Sequence, residues 1–284
     1  GITMEWFQAA LDRYKQQQHQ PQTHHGSRVL RSHPMRSVPA PIVYSRTRSV
    51  QIPESVLREQ RILAGFDAGP FVDAFKILRT QVMHRVKERG WNVIGITSPG
   101  QGEGKTFTAV NLAASLAMDV TQSVLLVDAN LRHPTVHEMF DLGSCRGLAD
   151  YLLDDVPIEE LLVHPGIGRF VFLPGGHAVS HSAEALTSPK MVALVEEFKH
   201  RYQSRMILFD LPPLLQTSDV LAFAPYLDAL LLVVQEGHTK AEDVERSLAL
   251  VKQATPVLGT VVNKVGYGAA TPAGMKAMMK VGDV

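Results

Sequence analysis

Several stretches of the chain carry apolar residues in unbroken runs: WNVIGIT (91–97), SVLLVD (123–128), RFVFLPG (169–175), RMILFD (205–210), DALLLVV (228–234) and VLGTVVN (257–263). A strand with one wet face would alternate apolar and polar positions. These runs mostly do not, so both faces are expected to be covered, as in a parallel sheet with helices on either side. Between them, TFTAVNLAASLAM, SPKMVALVEEFKHRY and KAEDVERSLALVKQ place apolar residues at helical spacing. Ahead of the first run, Phe71, Phe75, Leu78, Val82 and Val86 recur at steps of three and four, which predicts a core-facing helix from about Gly69 to Arg89. The alternation predicts one α/β domain over 65–266, a mostly parallel central sheet flanked by helices on both faces. No internal repeat is visible.

Composition changes the picture at the two ends. From Gln16 to Ser49 the chain is mostly Gln, His, Pro, Ser and Arg, too poor in large apolar residues to offset the entropy of ordering, and a flexible linker is expected. Arg28, Arg31, Arg36, Arg46 and Arg48 face no acidic residue there. Such a segment is either simply solvated or drawn to anionic lipid, at about 1 kcal/mol per basic residue. The histidines at 19, 24, 25 and 33 lack metal-ligand spacing. Met4 to Lys15 reads as a short amphipathic helix suited to docking. Residues 1–64 are thus expected to be a helix plus a basic linker, and 267–284 a loose tail.

Charge narrows the partners. Lys+Arg and Asp+Glu balance at 28 each, so net charge does not point to nucleic acid. Cys145 is the single cysteine, which leaves no internal disulfide and fits an intracellular setting. No apolar run approaches the ~20 residues of a membrane span, and no charged segment followed by an apolar one opens the chain. The expectation is a cytoplasmic protein that meets the inner face of the membrane through a partner.

The chemistry is carried by Ser98-Pro99-Gly100-Gln101-Gly102-Glu103-Gly104-Lys105-Thr106, between the end of the first long strand and a helix. Strand, glycine-rich loop, Lys-Thr and helix form the P-loop arrangement, although Pro99 stands where the strict pattern has glycine. Glycines let the backbone wrap around phosphates with its N–H groups inward. Lys105 is expected to reach the β- and γ-phosphates, and the Thr106 hydroxyl to bind Mg²⁺. Two further strands end in Asp128 and Asp210, at the carboxyl edge where open parallel sheets bind ligands. Carboxylates there suit Mg²⁺ held directly or through water. Lys105, Asp128 and Asp210 are the candidate catalytic residues. Thr106, Asp128 and Asp210 are the candidate metal residues.

In that order, SPGQGEGKT, VLLVDANLRHP and ILFDLPP resemble the Walker A, Walker A′ and Walker B motifs of the bacterial tyrosine kinases of polysaccharide export. The likeness runs from about Phe71 to Lys264, extends to MEWFQAALDRYK, and includes Asp219 and Asn263. It implies an ATP- and Mg²⁺-dependent P-loop NTPase, with Arg132 in the Walker A′ turn and Asn263 at the adenine. Gly100 to Phe107 would line the nucleotide. It also implies a membrane polysaccharide co-polymerase or chain-length protein as partner, and a homo-oligomer. Three departures stand out. Asn130 replaces the second Asp of D-x-D-x-R. The oligomer-forming E-x-x-R-x-x-R survives only as Asp73, Lys76 and Arg79. Only Tyr267 follows Asn263 where the family has a tyrosine cluster. Two readings follow: a tyrosine autokinase-like protein of exopolysaccharide biosynthesis, or a non-kinase ATPase or ATP-binding switch of the export machinery. A Min-like positioning ATPase would want a membrane-targeting helix near the C-terminus, and GMKAMMKVG is short for that.

Overall fold

Along the predicted strands, neighbouring residues are buried on opposite sides. Val124 and Leu126 join Ile94, Ile96, Leu208 and Leu231 in one apolar layer, and Leu125 and Val127 join Val93, Ile207, Phe209 and Leu230 in another. A sheet that buries both faces needs an unbroken apolar text, which is what the runs supply. The computed structural model describes residues 47–62, 64, 69–119, 121–201 and 205–265, all within the second of two units, Tyr44–Val284.

Among these residues the strands are β1 (Arg48–Ser49), β2 (Val93–Thr97), β3 (Ser123–Asp128), β4 (Val163–His164), β5 (Phe170–Leu173), β6 (Arg205–Asp210), β7 (Ala229–Gln235) and β8 (Val257–Asn263). They form one eight-stranded sheet in the order β1-β4-β5-β3-β6-β2-β7-β8. All pairs are parallel except β4 with β5. The helices are α1 (Glu54–Glu59), α2 (Pro70–Arg89), α3 (Lys105–Ala117), α4 (Leu148–Asp154), α5 (Ser182–Leu186), α6 (Pro189–Arg201), α7 (Asp219–Phe223) and α8 (Ala241–Lys252). The α/β expectation holds. α2 packs Phe75, Leu78, Val82 and Val86 into the same layer as Ala109, Leu112 and Leu116 of α3. The other layer includes Leu186 of α5, Leu194 and Val195 of α6, Val220 of α7 and Val251 of α8.

At the N-terminal side the folded body reaches further than the sequence reading placed it. Arg48 donates its amide to Leu162 O at 3.1 Å, Val50 to His164 O at 2.9 Å, and Ile62 and Ala64 are buried. Residues 48–62 and 64 therefore lie on the sheet and core, not in a linker. Val50, Ile52 and Leu57 pack against the core that buries Ile62 and Ala64, but their uneven spacing matches no helical or strand period. The helix over 4–15, the basic segment over 16–46 and the tail over 267–284 fall outside the described residues. No helix among the described residues is long and apolar enough to cross a membrane.

Candidate nucleotide-binding site

β2 stops at Thr97, and the chain turns through residues 98–104 into α3. Gly102 and Gly104 hold φ of 74° and 94°, a region that costs other residues dearly. At Gly104 a Cβ would also lie 1.8 Å from Asn263 Nδ2. The first helical hydrogen bond runs from Thr108 N to Gly104 O at 2.9 Å. The amides of Lys105, Thr106 and Phe107 thus lack intrahelical acceptors and, with the helix dipole, form a site for an anion.

Side chains of the loop divide their labour. Glu103 is only 3% exposed and folds beneath the loop. Its Oε2 accepts the Gly100 amide at 2.7 Å and its Oε1 accepts the Thr239 hydroxyl. It can offer a phosphate its backbone amide, but its carboxylate is committed to the loop. Phe107 likewise turns its ring to α2, where it meets Phe71 and Phe75 at centroid distances of 5.7 and 6.3 Å. A nucleotide contact from Phe107 is thereby limited to its main chain. Gln101 and Gly102 are exposed at the rim, and Lys105 and Thr106 are half-buried.

Asp128 and Asp210 are register partners on adjacent strands β3 and β6, both fully buried. Asp210 Oδ2 accepts the Thr106 hydroxyl at 2.6 Å, and Lys105 Nζ is 3.5 Å from that hydroxyl. Asp128 organises the turn after β3. Its Oδ1 accepts the Asn130 amide at 3.2 Å, and its Oδ2 accepts those of Thr135 at 2.9 Å and Val136 at 3.0 Å. Burial pushes the Asp128 carboxyl up to about 8, with the Asp210 charge adding to the push and the three amides opposing it. Burial raises Asp210 too, against the pull of Lys105 and the Thr106 hydroxyl.

Asp210 Oδ1 is buried without a hydrogen-bond partner. An unsatisfied buried oxygen is costly. Hard oxygen donors on Thr106 and Asp210, beside an anion cradle, suit Mg²⁺. The residues fit that ion. Asp128 retains acceptor capacity on Oδ1 for a metal-bound water.

Arg132 pairs with a buried carboxylate. Its Nε and Nη2 lie 3.4 and 3.3 Å from Oδ1 of the buried Asp219, whose Oδ2 accepts the Ser182 hydroxyl. This network ties the Walker A′ turn to the starts of α5 and α7. Asn263 closes β8 and gives its side-chain amide to Glu103 O at 3.0 Å. The structure adds Thr239, Gln235 and Lys264, which the sequence reading did not select. Lys264 Nζ donates to Gly102 O at 2.7 Å and to Gln235 Oε1 at 3.1 Å. The Asn-Lys pair at the end of the last strand was the only available signal for it.

A parallel sheet with a glycine-rich loop at one strand end and Asp residues at two others defines a P-loop NTPase. The AAA domain family matches residues 91–260. The tyrosine-protein kinase YwqD of Bacillus subtilis is 32% identical over 192 residues, covering 67% of this chain and 80% of its own. The tyrosine-protein kinase etk of Escherichia coli is 30% identical over 201 residues, covering 70% of this chain. This chain matches only 27% of the length of etk. The solved kinase domain of the E. coli enzyme superposes with a TM-score of 0.64 at 25% identity, over 77% of this chain and 91% of that one. The chain belongs to the bacterial tyrosine kinase family.

Proposed function

We propose that the chain binds Mg-ATP at this site and transfers the γ-phosphoryl group to a tyrosine hydroxyl, in the service of exopolysaccharide production. The observation that carries the reading is the orphaned Asp210 Oδ1 beside Thr106, Lys105 and the α3 amides. Main-chain amides and Lys105 hold the phosphates. Thr106 and Asp210 hold Mg²⁺, which when bound neutralises phosphate charge. Asp128 shapes the turn facing Asp210 and orients the attacking group. Such chemistry rests on positioning and electrostatic stabilisation rather than on covalent participation of the protein. Asn263 braces the loop at Glu103 O with its side-chain nitrogen, which leaves its side-chain oxygen to meet the adenine, and Arg132 supports the Walker A′ turn from Asp219. The kinase-like domain works at the cytoplasmic face of the membrane with a polysaccharide co-polymerase or chain-length protein, and as a homo-oligomer. No nucleic acid is among its partners.

A second reading is favoured by one residue. Asn130 cannot carry the charge of the second family aspartate. An ATPase or ATP-binding switch of the export machinery does not need that charge. Mass spectrometry of the purified chain, with and without Mg-ATP, separates the two. Bound nucleotide with phosphotyrosine supports transfer; bound nucleotide and product ADP without phosphotyrosine supports the switch. Absence of nucleotide binding would overturn both.

A further inference from the structure

Two consecutive carbonyls of the P-loop are held by two consecutive side chains. Gly102 O accepts from Lys264 Nζ at 2.7 Å, and Glu103 O accepts from Asn263 Nδ2 at 3.0 Å. In a trans peptide the C=O and the N–H point in opposite directions. Fixing the carbonyls of 102 and 103 toward the end of β8 therefore turns the amides of Glu103 and Gly104 the other way, toward the phosphate side of the loop. The inward amides are a consequence of outward anchoring.

This double anchor needs a special backbone. In a regular strand, successive side chains leave on opposite faces, so Asn263 and Lys264 could not both reach one loop. Lys264 has φ of 57°, the left-handed region. A non-glycine residue there costs roughly 1–2 kcal/mol. That conformation breaks the alternation at the end of β8 and lets both side chains engage the loop. Gln235 of β7 takes a second hydrogen from the Lys264 ammonium at 3.1 Å, which sets the cation at the loop edge.

We infer that Lys264 is a phosphate-site positioning residue, which with Asn263 pre-sets the P-loop amides and so governs affinity for the phosphate chain rather than for the base. The inference rests on the nucleotide-binding reading above. A base-stacking role for the lysine stem would produce a different pattern, and the two can be told apart with a ligand that has no base.

The test uses the full chain and titrates ATP and inorganic pyrophosphate, each with Mg²⁺, into wild type, Lys264→Met, Lys264→Gly and Lys264→Arg. Loss of one charge-assisted hydrogen bond at an exposed site is expected to weaken both ligands about tenfold in Lys264→Met. KM for ATP should rise by the same factor with kcat nearly unchanged, and Lys264→Arg should restore most of the affinity. Lys264→Gly relaxes the backbone while deleting the donor. It should keep or raise the unfolding temperature yet bind as weakly as Lys264→Met, which separates the anchor from a folding defect. Weakened ATP with unchanged pyrophosphate would overturn the inference in favour of a base contact. Unchanged binding of both ligands would overturn it outright. Failure of wild type to bind either ligand would overturn it together with the nucleotide-binding reading.

Discussion

At the scale of single residues, the site stores unfavourable electrostatics that only its ligands relieve. Asp128 and Asp210 face each other across adjacent strands, both buried, and burial raises both carboxyls above the ordinary range. A carboxyl whose folded pKa is raised gives stability that is fully present below the unfolded pKa and lost as pH rises through the folded one. For Asp128 that window runs from the ordinary aspartate value of 3.8 up to about 8. The metal-free, nucleotide-free chain should therefore lose stability across it. Asp210→Asn removes one charge of the pair and can still accept the Thr106 hydroxyl. Its unfolding temperature without metal should exceed wild type at pH 8 more than at about pH 5, by about 2–4 °C for each kcal/mol gained. Turnover should collapse at the same time. Thermal scans at the two pH values with an ATPase assay check this, and equal shifts at both would deny the repulsion. Lys105 is the opposite case, a cation placed for phosphates. Lys105→Met should abolish ATP turnover while leaving the folded signal intact, and hydrolysis at the wild-type rate would remove Lys105 from the site. These residues were legible because each ends a strand or closes a glycine loop. Lys264, Thr239 and Ser182 were not, because their partners lie far away in sequence, at Gly102, Glu103 and Asp219.

Between elements, the P-loop helix depends on its neighbours at both ends. Its last carbonyls are taken by Arg79 Nη1 on Ser115 O at 2.8 Å, Asp119 N on Leu116 O at 3.2 Å and Arg169 N on Ala117 O at 3.4 Å. Cations belong at a helix C-terminus, where orphan carbonyls and the dipole meet them. The resemblance placed Arg79 in an oligomer-forming motif with Asp73 and Lys76. In the folded chain Arg79 caps α3, while Asp73 and Lys76 stand exposed on α2. Arg79→Ala should lower stability by about 1.5–3 kcal/mol, the worth of a hydrogen bond from a charged donor. Urea unfolding at a concentration where the chain is monomeric measures it, and an unmoved midpoint would remove Arg79 from the cap. Element legibility followed the same physics. The runs at 123–128, 205–210 and 257–263 became strands with those bounds, because burial on both faces writes itself into composition. The two-residue strands β1 and β4 are too short to carry such text, even though β4 buries Val163 in the core.

For the molecule as a whole, the open question is where a transferred phosphate would land. Tyr151 and Tyr226 lie within the described fold, and both are half-buried. Lys190 sits over the Tyr151 ring at 4.6 Å, and Tyr226 packs on Phe223 at a centroid distance of 6.1 Å. Burial also raises the Tyr151 hydroxyl above its ordinary pKa. Reaching an active site from either position would mean breaking packing that the fold uses. Tyr14 and Tyr44 precede the described residues, and Tyr267 follows them. A flexible chain of some thirty residues has an r.m.s. reach of about 30 Å, so if residues 16–46 are the linker their composition leads one to expect, Tyr14 could visit a neighbouring copy's site. If this chain is an autokinase, phosphopeptide mapping after incubation with Mg-ATP should find phosphotyrosine at Tyr14 or Tyr44, and none after Gly266 other than on Tyr267. Lys105→Met should erase that signal, because the same lysine serves every acceptor. Phosphate on Tyr151 or Tyr226 would show that the packed domain opens far more readily than its contacts imply. ATP hydrolysis with no phosphotyrosine anywhere would select the regulatory switch, because nucleotide turnover would then proceed without any acceptor hydroxyl.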